Sequence, residues 1–104
     1  MSSQAYASID PTINAWAEKH SFTLFRTIEG MAAQDFRAVY LSSDRGECFQ
    51  IWIDPPESGQ VAVHAADIET RLDQEFRHEW RAPVDNLAAA LESAVAEVGR
   101  WMER

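Results

Sequence analysis

The chain has 104 residues, 46% hydrophobic and 25% charged, which is the composition of one ordinary globular domain and not of a disordered or fibrous chain. Seventeen acidic residues against nine basic give a formal net charge of −8 without any run of like charges. That balance disfavours nucleic acid and anionic membranes, which need clustered cations, and favours a basic protein partner.

Residues 1–9 are small and polar and read as a flexible lead-in to a single domain over 10–104. Met1 to Ala7 lacks the basic and apolar regions of a signal peptide. Cys48 is the only cysteine, so no intrachain disulfide forms. No apolar run is long enough for a membrane span. Together these imply a cytoplasmic protein.

Asp10-Pro11 opens a helix, with Asp10 as a capping residue and Pro11 suited to the first turn. Ile13, Trp16 and Ala17 form its apolar face. His20, at its end, is placed to meet the last carbonyls. Phe22 to Glu29 reads as a first strand, closed by Gly30, and Asp35 to Ser42 as a second. Asp44-Arg45-Gly46 supplies a turn. Glu47 to Asp54 is a third strand, and Pro55-Pro56-Glu57-Ser58-Gly59 breaks it. Gln60 to about Arg71 is a fourth.

Glu75 to Ala82 is the fifth strand and has the clearest period. Charge occupies Glu75, Arg77, Glu79 and Arg81, and rings occupy Phe76, His78 and Trp80. Leu72, Phe76 and Trp80 are also spaced for a helix, but strict alternation over seven residues favours a strand. Pro83 then opens a final helix with Asp85 in its first turn. Its apolar stripe is Val84, Leu87, Leu91, Ala94, Val95, Val98, Trp101 and Met102.

The order α-β-β-β-β-β-α with short links predicts an α+β two-layer sandwich. An antiparallel five-stranded meander would be covered on one face by the N- and C-terminal helices. Charges at Asp67, Glu69 and Arg71 place Ala62, His64, Ala66 and Ile68 inward on strand four. Phe49, Ile51 and Ile53 point inward on strand three, which leaves Cys48, Gln50 and Trp52 outward.

The outer face keeps apolar groups toward the N-terminal strands, and a contiguous apolar patch marks an interface. Trp52 is its anchor, with Phe25, Val39 (or Tyr40), Gln50 and Val63 around it. A one-residue shift in strand three would instead bury Trp52. A second constellation is a small-ligand or metal site on the covered face, lined by His64, His78 and Tyr40. Two histidines lack the third ligand that a metal centre needs, so no metal site is assigned. Cys48 has no base and orienting partner. No phosphate loop, zinc-binding helix or nucleophile elbow occurs, and no cofactor or catalytic residue is assigned.

The expectation is a non-enzymatic acidic domain that binds a protein partner or a second copy of itself as a homodimer. In architecture alone the chain resembles small acidic bacterial proteins that bind other proteins, such as toxin-immunity proteins and secretion chaperones. Secretion chaperones usually carry a further helix within the strand series, and none is predicted here.

Overall fold

A computed structural model describes residues 6–27, 35–44, 46–68 and 77–103, with the backbone alone at 26, 27, 35 and 36. The class is α+β. Helix α1 (Asp10–Lys19) is followed by β1 (Phe25–Thr27), β2 (Asp35–Ser42), β3 (Cys48–Ile53), β4 (Gln60–Asp67) and β5 (Arg77–Pro83). A single 3-10 turn, Val84–Asn86, then leads into α2 (Leu87–Met102). Each strand pairs antiparallel with the next. The body of the sheet is the four long strands β2–β5; β1 is a three-residue edge piece whose register breaks between Phe25 and Thr27. Residues 77–80 are strand, as their alternation predicts. The predicted strand ends at 28–29, 69–71 and 75–76 lie outside the described residues, as does Arg45 of the first turn.

Turn chemistry fixes the hairpins. In the β2–β3 turn, Gly46 takes φ +89°, and Ser43 binds Glu47 through both main chain and side chain. After Pro55-Pro56 the chain pairs again through Glu57 and Gln60, around Ser58 at φ +54° and Gly59 at φ +77°. Two successive positive φ angles make a type I′ turn, whose twist suits a two-residue hairpin.

Register then decides which side chains meet the helices. Val39, Ile51 and Ala65 stand opposite one another, as do Ile53 and Val63, and Val61 and Ala82. All lie in one core with Phe49. Against them pack Ile13, Trp16 and Ala17 of α1 and Leu87, Leu91, Ala94, Val98 and Trp101 of α2. Val84, Val95 and Met102 complete the stripe from its margins.

Strand four is therefore inverted from its expected parity. Val61, Val63 and Ala65 face the helices, while Ala62, His64, Ala66 and Ile68 face away. The misleading signal is Asp67. It shares the covered parity with Phe49 but stands half-buried at the strand end. A charge at a sheet margin does not define a face.

The lead-in also departs from its composition. Tyr6 and Ile9 are core residues, 3% and 1% exposed. The Tyr6 hydroxyl donates to the Ile53 carbonyl at 2.9 Å. Arg37 points to the covered side and is 3% exposed, with its guanidinium 4.3 Å from the centre of the Tyr6 ring. Its Nε and Nη2 donate to Asp10 Oδ1 and Oδ2 at 2.8 and 3.1 Å. Asp10 is thus not the helix cap. The N-cap is Ile9, with no side-chain cap bond, and the Asp10 carboxylate ties α1 to β2. A bidentate fork of this kind is the geometry in which a buried guanidinium is tolerated.

Candidate functional site

The helices leave one sheet face uncovered, and cross-strand register places its side chains in rows. One row runs Ala38, Trp52, His64, Glu79, joined by Phe25 opposite Ala38. The next runs Tyr40, Gln50, Ala66, Arg77. Cys48 stands opposite Ser42, and Ile68 follows on the other side, its N–H bonded to the Cys48 carbonyl at 3.0 Å. Ala62 and Arg81 form the row beyond His64. Directly opposed residues on a sheet have Cβ atoms about 5 Å apart, so these rows are contact lists.

The contacts follow. Trp52 and His64, directly opposed, stack with ring centres 4.8 Å apart and planes at 8°. His64 Nε2 lies 2.8 Å from Asp54 Oδ2, and its Nδ1 lies 3.7 Å from Glu79 Oε1. Arg81 Nε donates to Glu79 Oε2 at 2.7 Å. Gln50 Nε2 donates to the opposed Tyr40 hydroxyl at 3.1 Å. Phe25 and Tyr40 meet edge to face at 5.2 Å. Three small residues, Ala38, Ala62 and Ala66, lie buried beneath these longer neighbours.

Three large hydrophobic residues are exposed among the described ones: Phe25 at 44%, Tyr40 at 39% and Ile68 at 46%. All three stand on the uncovered face. Its described charged side chains are Asp54, Glu79, Arg77 and Arg81, two acidic and two basic, which cancel. Among the described side chains, then, this face carries none of the acidic excess of a chain of −8.

Of the predicted interface residues, Trp52, Phe25 and Gln50 belong to this face. Trp52 is half-buried there and is not a core residue. Val39 and Val63 do not belong: each is fully buried beneath the helices. Tyr40 takes the place given to Val39. Ile68 was missed because strand four was read with inverted parity.

The predicted ligand pocket is not assembled. His64 and Tyr40 stand on the uncovered face. His78 has the covered parity, opposite Ala65, but is exposed at the sheet edge and stacks on Trp80 at 4.2 Å. Among the described residues no group of three or more His, Cys, Asp or Glu side chains is placed to hold a metal ion. Cys48 is a free, half-buried thiol. No described helix is long and apolar enough to cross a membrane.

The helix layer carries its own features. A groove of about 590 Å³ between α1 and α2 is lined by Pro11, Ala15, Ala88 and Ala89, with Trp16 and the Lys19–Glu92 pair beside them. Lys19 Nζ donates to Glu92 Oε2 at 3.1 Å, and His20 Nε2 lies 3.0 Å from Glu92 Oε1. His20 thus bridges to α2 and stacks on Phe22, where sequence reading sent it to the helix carbonyls. The hydrogen bond from Lys19, helped by His20, holds the Glu92 carboxyl below the usual carboxylate range despite some desolvation. Glu97 is lowered likewise, first by its hydrogen bond from Arg100, with Trp101 adding another. These are ties within and between helices.

Comparison of the chain with protein-family models, with curated proteins and with solved structures gives no match.

Proposed function

We propose that this is a non-enzymatic, protein-binding domain that docks its partner on the uncovered face of the sheet. The observation that carries this reading is the coincidence of the exposed large hydrophobics, Phe25, Tyr40 and Ile68, with a half-buried Trp52 on one flat face. Aromatic anchors with polar handles, set among small residues and rimmed by charge, are the composition of a binding surface. The nearest approach to catalytic geometry among the described residues, Asp54–His64, has Trp52 and Glu79, neither of them a Ser, Thr or Cys nucleophile, at the positions opposed to His64. The reading places the domain in the cytoplasm, where its lone thiol stays reduced.

The test is photo-crosslinking from a photoreactive residue placed at position 25 or 68, followed by titration of the captured protein, purified, against wild type and Trp52→Glu. Binding that Trp52→Glu weakens at least about a hundredfold supports the reading, since a central aromatic anchor carries energy on that scale. Equal binding by the two proteins, or capture from control positions on α2 alone, would refute it.

A further inference from the structure

We infer that the occupant of the uncovered face is a second copy of this chain. The inference rests on the protein-binding reading and names its partner. Two observations select a second copy over a basic target. First, the described charged side chains of the face cancel, on a chain of −8. An acidic protein that steers a basic partner shows that partner its acidic surface. Here the described side chains of the apolar surface carry no acidic excess, so two like-charged copies can touch there with little local repulsion.

Second, the face is complementary to itself. Its aromatic half lies on β1–β3, with Phe25, Tyr40 and Trp52, and its guanidinium half on β5, with Arg77 and Arg81. A two-fold axis parallel to the strands and midway between β3 and β4 exchanges β2 with β5 and keeps each row over its own row. Tyr40 and Arg77 share a row, through Gln50 and Ala66. The operation therefore sets Arg77 of each copy over Tyr40 of the other, a cation over a ring face. An isologous contact makes each such pair twice.

The size of the face sets the strength. Four or five strands of six or seven residues present about 20 by 20 Å, from the spacing and rise of strands. That is about half the roughly 800 Å² per partner of a standard interface. The dimer is accordingly a concentration-dependent one, and its formation has an unusual salt dependence. Added salt screens the repulsion between two bodies of −8 and strengthens association, whereas binding to a basic partner weakens with salt.

Sedimentation velocity and native mass spectrometry on the full chain, from low micromolar to millimolar, test this. The expected result is a monomer–dimer equilibrium that shifts toward dimer as sodium chloride rises. Tyr40→Glu and Ile68→Glu should abolish it, and both positions are exposed enough for the monomer to stay folded, as far-UV circular dichroism would verify. Arg77→Ala and Tyr40→Ala should each weaken the dimer about fivefold or more, from the scale of a cation–ring contact made twice. Combined, they should cost less than the product of the two.

A monomer at every concentration and salt overturns the second-copy inference. The crosslinking of a different protein at position 25 or 68 would still uphold the docking face. A dimer that ignores Tyr40→Glu and Ile68→Glu, or that salt dissociates, also overturns the inference.

Discussion

The two faces of this sheet are built from the same strands, yet they differ in kind. The covered face holds branched aliphatics and Phe49, at most 1% exposed along its centre: Val39, Phe49, Ile51, Ile53, Val61 and Val63. The uncovered face holds rings with polar handles above alanines. Hydrophobicity alone does not separate them, because the covered side accepts Arg37 while the uncovered side keeps Phe25 and Ile68. The covered side chains fill space between layers. The uncovered ones pair laterally, Trp52 with His64 and Tyr40 with Gln50, and leave a flat surface. This face, ordered by lateral contacts without being buried, is the one on which we propose that a partner docks.

The strongest way to break this comparison is to truncate one large ring on each side. Phe49→Ala opens a cavity between sheet and α2, where the ring meets Trp101 at 5.7 Å. It should cost about 3–5 kcal/mol in urea unfolding, the usual range for a buried Phe. Trp52→Ala removes a half-exposed ring and should cost less than half as much in the dilute monomer. Equal losses would mean that the uncovered face is a second core, and the docking proposal would lose its basis.

The next test concerns the charge that the covered face admits. Asp10→Asn removes the carboxylate charge from the fork on the buried Arg37 guanidinium and should destabilise by about 3 kcal/mol, as breaking buried pairs does. Arg37→Met should cost clearly less. The Asp10 side chain, 22% exposed, is then open to hydration. The reverse order in denaturant midpoints would show that packing of the Arg37 stem on Tyr6 matters more than the ion pair.

The same residues show what was legible in the sequence. The alternation over 75–81, the turn signals at Gly46 and Gly59 and the α2 stripe are local patterns, and they gave the α+β class and the antiparallel order of elements. Trp52 fell on the correct face because Phe49, Ile51 and Ile53 alternate without exception. Parity failed where a strand offers alanines on one side and a charge at its end, as in β4, so His64 and Ile68 were turned inward. Tyr6 was lost to the polar look of its neighbours. Arg37 and Asp10 could not be paired in advance, since their contact is tertiary and 27 residues apart in sequence.

The smallest effect concerns how firmly the helices sit on the covered face. Lys19 of α1 and His20 at its end both reach Glu92 of α2, and their hydrogen bonds lower its carboxyl pKa. A carboxyl whose pKa is depressed by folding stabilises the protein above its unfolded value of about 4.3. That contribution is lost as pH falls through the lower folded value. The Glu92 side chain is 40% exposed, so solvent screening keeps the contribution small. Glu92→Gln should therefore lower Tm by no more than a few degrees at pH 7 and leave it unchanged near pH 2, where wild type has lost the same pair. Trp52→Ala, on the other face, should show the same Tm offset at both pH values apart from its own neighbours Asp54 and Glu79. Melts of the two variants against wild type at each pH separate a helix-layer tie from a sheet-surface ring. A Glu92→Gln deficit that persists at pH 2 would show that the α1–α2 contact depends on the shape of the side chain and not on its charge.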